Sequence, residues 1–233
     1  MMNKFSLIIP VFNENDNLEL LFMDTVKSGV YEIVEEIIFV DDCSTDGSNS
    51  ILRKLSTKNE KVNLITHTIN MGQSNALNTG IKSAVSENII TIDSDGQNPP
   101  SEIIKMINKY NEYKNPTLLA GIRTKRKDNL IKILSSILAN KFRNLILGDN
   151  CPDTGCSLKI FKKKDFIDLP FFDGIHRFLP ALFIFNNVNV KYMNVAHKER
   201  LYGISKYGTV DRLIKTIGDL FIVLKIKKSL KNT

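Results

Sequence analysis

Short apolar, β-branched runs alternate along the chain with stretches whose apolar residues recur every three or four positions. Phe5-Ser6-Leu7-Ile8-Ile9 reads as a first buried strand that runs out into Pro10-Val11-Phe12-Asn13-Glu14. Leu18, Leu21, Phe22 and Val26 then fall at helical spacing, with Gly29 where a helix stop is expected. Ile37–Val40 is a second strand ending in Asp41-Asp42, and Ser44-Thr45-Asp46-Gly47 is turn chemistry before a helix carrying Ile51, Leu52 and Leu55. Val62–Thr66 is a third strand. Asn70-Met71-Gly72-Gln73 is a loop, and Ala76, Leu77, Gly80, Ile81 and Ala84 form one face of the helix behind it, small enough to pack close to a sheet.

The fourth run, Ile89-Ile90-Thr91-Ile92, breaks off into Asp93-Ser94-Asp95-Gly96-Gln97-Asn98-Pro99-Pro100. The two prolines forbid continued pairing and begin a turn. Two carboxylates one residue apart at the end of a buried strand repel each other and are costly to desolvate. A divalent cation relieves both costs: Asp93 and Asp95 are hard oxygen ligands, and Gln97 adds a neutral carbonyl. A solvated Asp-Ser-Asp turn is the plainer alternative.

Further on, Glu102–Tyr113 reads as a helix and Leu118–Ile122 as a fifth strand, followed by the basic loop Arg123-Thr124-Lys125-Arg126-Lys127. Ile131, Leu134, Ile137, Leu138, Phe142 and Leu145 outline a helix with a broad apolar face. Leu158–Phe161 and Val188–Val195 read as strands, and Phe178–Phe185 as a helix between them. Strands alternating with helices at this spacing predict an α/β fold with a Rossmann-like, doubly wound, mostly parallel sheet and helices on both faces. Ligands of such sheets bind outside the carboxyl ends of the strands, where Glu14, Asp41, Asp42, Asp93 and Asp95 gather. No G-x-G-x-x-G follows the first strand and no G-x-x-x-x-G-K-[ST] occurs, which disfavours a dehydrogenase or a P-loop enzyme.

Composition narrows this picture only in part. The 233 residues suit one substantial domain, and the hydrophobic fraction of 42% and charged fraction of 24% are ordinary. A net charge of +7 and a pI near 9.2 favour an anionic partner. Recognisable nucleic-acid-binding motifs are lacking, and strand-end acids do not suit that partner, so none is expected. The three cysteines, Cys43, Cys151 and Cys156, suggest reduced thiols rather than a disulfide framework. No apolar run reaches membrane-spanning length and no signal peptide is evident, so a cytoplasmic protein is expected.

Taken in order, several motifs resemble the inverting glycosyltransferases of family 2, which have the GT-A fold. These are Pro10–Glu14, Val40–Gly47, Asn70-Met71-Gly72, Asp93–Pro100, Gly121-Ile122-Arg123, Asp153-Thr154-Gly155-Cys156, His176-Arg177-Phe178 and Arg200 through Tyr207. The branch they resemble is that of dolichol-phosphate mannose synthase and the undecaprenyl-phosphate sugar transferases. The resemblance implies that Pro10, Phe12, Glu14 and Asp42 line the nucleotide, with Asp41 adjacent. It implies that Asp93, Asp95 and Gln97 hold Mg²⁺ or Mn²⁺ against the diphosphate, and that Asp153, Asp95 and Arg123 carry catalysis. Arg123, Arg126, Arg200, Ser205 and Lys206 would bind the diphosphate or an acceptor phosphate. Two departures stand out: Gly96 where the family usually has Leu, and Asn98 where it often has Asp.

The implied reaction moves a sugar, with inversion, from a nucleotide-diphosphate sugar to a polyprenyl phosphate. A soluble relative acting on a sugar hydroxyl in surface polysaccharide synthesis is the alternative. The two differ in whether Asp153 must act as a general base. Residues 1–208 would form the catalytic domain, and 209–233 a basic amphipathic helix with Lys225, Lys227, Lys228 and Lys231. That helix is expected either to lie on an anionic membrane surface at the inner face of the cell membrane or to pack in the core.

Overall fold

The computed structural model describes residues 3–124, 143–200 and 209–231, the last of these with side chains from 218 to 229. Its strands are β1 Phe5–Val11, β2 Glu36–Asp41, β3 Val62–Thr66, β4 Asn88–Thr91, β5 Thr117–Thr124, β6 Lys159–Lys162 and β7 Asn189–Ala196. Its helices are α1 Asn15–Lys27, α2 Val30–Ile33, α3 Ser48–Lys58, α4 Gln73–Ser83, α5 Ser101–Asn111, α6 Lys163–Ile167, α7 Leu179–Phe185 and α8 Thr209–Lys231. Residues 143–147 are helical as well.

The seven strands form one sheet in the order β3-β2-β1-β4-β6-β5-β7. β1 pairs in parallel with β2 and β4, β2 with β3, and β5 with β7, whereas β6 runs antiparallel between β4 and β5. The expected mostly parallel sheet is thus present, with one reversed strand. Pro10 sits inside β1 opposite Val40, and this is tolerated because the β4 ladder has already stopped at Thr91, opposite Ile8.

The alternation of β1 divides the core in two. Phe5, Leu7, Ile9 and Val11 face a cluster with Leu18, Leu21, Leu52, Ile103 and Met106, whereas Ile8 faces Ala76, Leu77, Ile81, Phe161, Phe178 and Phe183. Gly80 lets α4 lie directly on the sheet, since a Cβ there would stand 2.6 Å from Ile8 Cγ2 and 3.0 Å from Val40 Cγ2. Helix α8 joins the second cluster: Val223 is fully buried, with Leu220 and Leu224 packed beside it. Lys227 donates to the Leu147 carbonyl at 2.9 Å and stands over the Phe185 ring.

Two expectations change. Arg123 belongs to β5 rather than to a loop after it, because β7 pairs with β5 as far as Thr124. In the apolar stretch expected to end at Leu145, that residue is 84% exposed, and Leu147 takes the buried position instead. Positions 131–142 of that stretch lie outside the described residues.

Candidate active site

The chain lays down β1, β2 and β3 outward in one direction, then returns to place β4 on the other side of β1. In an open α/β sheet, a crevice forms outside the strand ends at such a reversal. A cavity of about 380 Å³ opens there, lined among others by Pro10, Phe12, Glu14, Asp42 and Arg200. A second cavity of about 350 Å³ is lined by Arg123, Lys159, His176, Arg177 and the turn 154–157, among others. Gly72, Gln73, Asp93, Asp95 and Gln97 line both, so the two carboxylates stand on the border between the two spaces.

The border is an electrostatically costly place. Burial first, and the Asp95 charge second, push the Asp93 carboxyl up to about 6 from an ordinary 3.8, with Lys159, Ser157 and Arg123 opposing them. Gln73 Nε2 donates to Asp93 Oδ1 at 2.8 Å, and the Asp93 backbone N–H donates to Ser157 Oγ at 3.0 Å. Asp95 Oδ1 accepts from the Gln97 N–H at 3.1 Å, closing a turn in which Gly96 takes φ 73°. That left-handed conformation favours glycine, which accounts for its place here. The Gln97 carbonyl accepts from the Lys198 N–H at 2.8 Å, tying the turn to the segment after β7. Arg200, two residues on, donates to Glu14 Oε1 at 3.0 Å and to Asp95 Oδ2 at 3.1 Å.

This donor set suits a hard divalent cation. Two carboxylates share a partly buried corner where one of them resists ionisation, and Gln97 lines the same corner. Among the described residues no group of three His, Cys, Asp or Glu is arranged to hold a metal. A cation here would therefore complete its shell with the Gln97 amide, water and a bound phosphate.

The remaining sequence candidates occupy different places around the two cavities. Asp42 lines the first cavity, but its carboxylate is committed to shaping the wall. It accepts from the Met71 N–H at 2.9 Å and the Gly72 N–H at 2.7 Å, and meets His67 Nδ1 at 2.7 Å. Asp41, expected beside the nucleotide, lines neither cavity; it accepts from the Ser44 N–H at 3.1 Å and Asn49 Nδ2 at 2.7 Å, fixing the turn into α3.

Asp153 also lines neither cavity and clamps Arg123, with Nε–Oδ2 at 2.8 Å and Nη2–Oδ1 at 2.7 Å. Burial would push the guanidinium of Arg123 down, but the Asp153 hydrogen bonds and charge outweigh it and hold it up. Gly155 makes room for this clamp, because a Cβ there would stand 2.5 Å from Arg123 Nη2. Arg126, Ser205 and Lys206 lie outside the described residues.

Several residues around the site had been given no role in it from the sequence. Gln73 and Ser157 orient Asp93; Ser157 Oγ also accepts from Asn98 Nδ2 at 3.0 Å, which gives Asn98 a supporting part. His67 buttresses Asp42 from behind, its Nε2 meeting Thr79 Oγ1 at 3.0 Å. Lys159 is a buried lysine in the wall of the second cavity. His176 Nδ1 meets Ser74 Oγ at 2.7 Å, and Arg177 Nη2 donates to Asp219 Oδ2 of α8 at 2.6 Å. Cys43, Cys151 and Cys156 are thiols, and burial pushes Cys151 and Cys156 up.

Comparison with known proteins bears on this arrangement. Residues 6–169 match the model of the family described as glycosyl transferase family 2. A dodecaprenyl-phosphate galacturonate synthase from Rhizobium johnstonii is 33% identical over 226 residues, covering 95% of this chain and 66% of that protein. An undecaprenyl-phosphate 4-deoxy-4-formamido-L-arabinose transferase from Proteus mirabilis is 31% identical over 228 residues, covering 96% and 68%. The chain thus spans about two thirds of the length of these relatives. Glucosyl-3-phosphoglycerate synthase from Mycobacterium tuberculosis, solved with Mg²⁺ and UDP, superposes with a TM-score of 0.71 at 13% identity, covering 97% of this chain and 79% of that one. The same enzyme with Mn²⁺, UDP and glucosyl-3-phosphoglycerate gives a TM-score of 0.71 at 13% identity, covering 97% and 80%. At that identity the likeness establishes the fold, which is the GT-A arrangement.

Proposed function

Because the chain belongs to glycosyl transferase family 2, we propose that it transfers a sugar, with inversion, from a nucleotide-diphosphate sugar to a polyprenyl phosphate. The observation that carries this reading is the shared border: two cavities meet at Asp93, Asp95 and Gln97. A donor in one and an acceptor in the other would bring their reacting atoms together there. The relatives named for polyprenyl-phosphate transfer support the acceptor class.

In this reading the first cavity takes the nucleotide. Pro10 and Phe12 offer apolar surface to the base, Glu14 a ribose acceptor, and Asp42 the fixed wall of the 70–72 loop. Asp93, Asp95 and Gln97 would hold Mg²⁺ or Mn²⁺, whose chemistry is to neutralise charge developing on the departing diphosphate. Arg200 bridges Glu14 and Asp95 and would exchange them for a diphosphate oxygen.

The second cavity takes the acceptor. A phosphate monoester has a second pKa near ~6 and is mostly dianionic at neutral pH, so it requires no base to remove a proton. Asp153, with both oxygens on Arg123, suits that case: it positions the guanidinium in the cavity wall.

The acceptor's tail is insoluble, so the protein would work at the inner face of the cell membrane. Among the described residues no helix is long and apolar enough to cross a membrane. Helix α8 turns Phe221, Ile222, Lys225 and Lys228 outward while Val223 is buried, an outer face suited to an anionic lipid surface.

Thermal unfolding against a panel of UDP-, GDP- and dTDP-sugars, with Mn²⁺ and with excess chelator, tests the donor assignment. At least one nucleotide sugar is expected to raise Tm only when the metal is present. A panel without effect, or an equal rise in chelator, would refute it.

A further inference from the structure

We infer that Lys159 is a positioning residue for the acceptor, its ammonium group in the wall of the second cavity binding the phosphate of a phosphate monoester. The inference rests on the proposed transfer to such an acceptor. Lys159 stands at the start of β6 between the fully buried Leu158 and Ile160, opposite Thr91 of β4 and Ala120 of β5. It is only 5% exposed, yet it lines the second cavity.

Charge singles it out among its neighbours. Arg123 is held by Asp153 at 2.7 Å, and Arg177 by Asp219 at 2.6 Å, so each brings its own counterion. Lys159 has no carboxylate within ion-pair distance among the described residues. Its ammonium carries three protons. One goes to the Cys156 carbonyl, and no other acceptor among the described residues is within hydrogen-bonding reach. A buried ammonium is costly to keep unless an anion or further acceptors complete its surroundings. A phosphate in this cavity supplies both, and the same cavity wall carries Asp93 and Asp95, beside which the acceptor oxygen must arrive.

A second duty is compatible with the same position: the Lys159 charge also favours the ionised form of Asp93. If that were its whole role, replacing it would change the metal requirement and leave the acceptor untouched. This difference makes the inference testable.

The experiment uses the full chain, Lys159→Met and Lys159→Arg, with Mn²⁺ and a nucleotide sugar that the wild type uses. Two acceptors separate the sources of phosphate: a short-chain prenyl monophosphate and glycerol 3-phosphate. Lys159→Met is expected to raise KM for the acceptor that the wild type uses roughly 10- to 100-fold, with the half-saturating Mn²⁺ moving less than about 3-fold. Lys159→Arg is expected to recover part of that loss. An unchanged acceptor KM, or a change confined to the Mn²⁺ requirement, would overturn the inference while leaving the glycosyl transfer intact. If the Met variant does not fold, wild-type crystals grown with inorganic phosphate decide. A phosphate bonded to Lys159 Nζ supports the role; a second cavity without one overturns it. A wild type inactive on both monoesters would overturn the proposed function, and this inference with it.

Discussion

Asp93 holds its carboxyl in a partly buried position beside Asp95, and burial together with that neighbouring charge raises its proton affinity. Below 3.8 the group is protonated in the folded and unfolded chain alike and has no effect on stability. Between 3.8 and about 6 the unfolded chain ionises first, so this group withdraws stability as pH rises, and above that window the full cost remains. A bound cation reverses the cost only where the carboxylate is ionised. The rise in Tm produced by Mn²⁺ is therefore expected to be small at pH 5 and large at pH 7.5; an equal rise at both would contradict the assignment. Asp95→Asn should lower kcat by at least about 100-fold while leaving the far-ultraviolet spectrum and Tm close to wild type. Arg200→Ala, which removes a charge-assisted contact, should cost roughly 10- to 100-fold in kcat/KM for the donor. These residues were legible in the sequence because Asp93, Asp95 and Gln97 are neighbours in one turn. The clamp between Arg123 and Asp153 was not, because it joins positions that only the β5–β6 pairing brings together. Lys159 left a signal that went unused: a lysine inside the apolar strand run Leu158–Phe161.

Among the elements, the strands were the most legible, because short β-branched runs between turn residues have few other ways to be buried. Val62–Thr66 is β3 as read, and β1, β2 and β4 differ from their readings only at the ends. The direction of β6 was not legible, since an apolar run of a few residues has the same pattern either way. The four-residue α2 is too short to show a helical period. The small-residue face of α4 was read correctly as a close-packing face, and it makes a sharp test. Gly80→Val drives side-chain atoms into Ile8 and Val40 and should cost about 1–3 kcal/mol in urea unfolding, from overpacking. A neutral result would mean that α4 stands further from the sheet.

At the scale of the whole molecule, a chain of net charge +7 gathers acids at one sheet edge and turns part of its lysine outward on α8. The buried and outward sides of that helix make different predictions. Val223→Ala should cost about 2 kcal/mol of stability, through a cavity in the core. Phe221→Ser, at a position 64% exposed, should leave stability within about 0.5 kcal/mol. It should nevertheless weaken co-sedimentation with anionic vesicles, most clearly at low salt. Equal vesicle binding by the wild type and the Phe221 variant would separate this helix from any membrane role. The most direct measurement for the molecule as a whole is transfer of a labelled sugar from a nucleotide-sugar panel to a short-chain prenyl phosphate, with Mn²⁺ and then with excess chelator. The two-cavity reading predicts a prenyl-phosphate sugar of inverted anomeric configuration, formed with the metal and lost in chelator. Absence of transfer from every donor, retention of configuration, or undiminished transfer in chelator would contradict it.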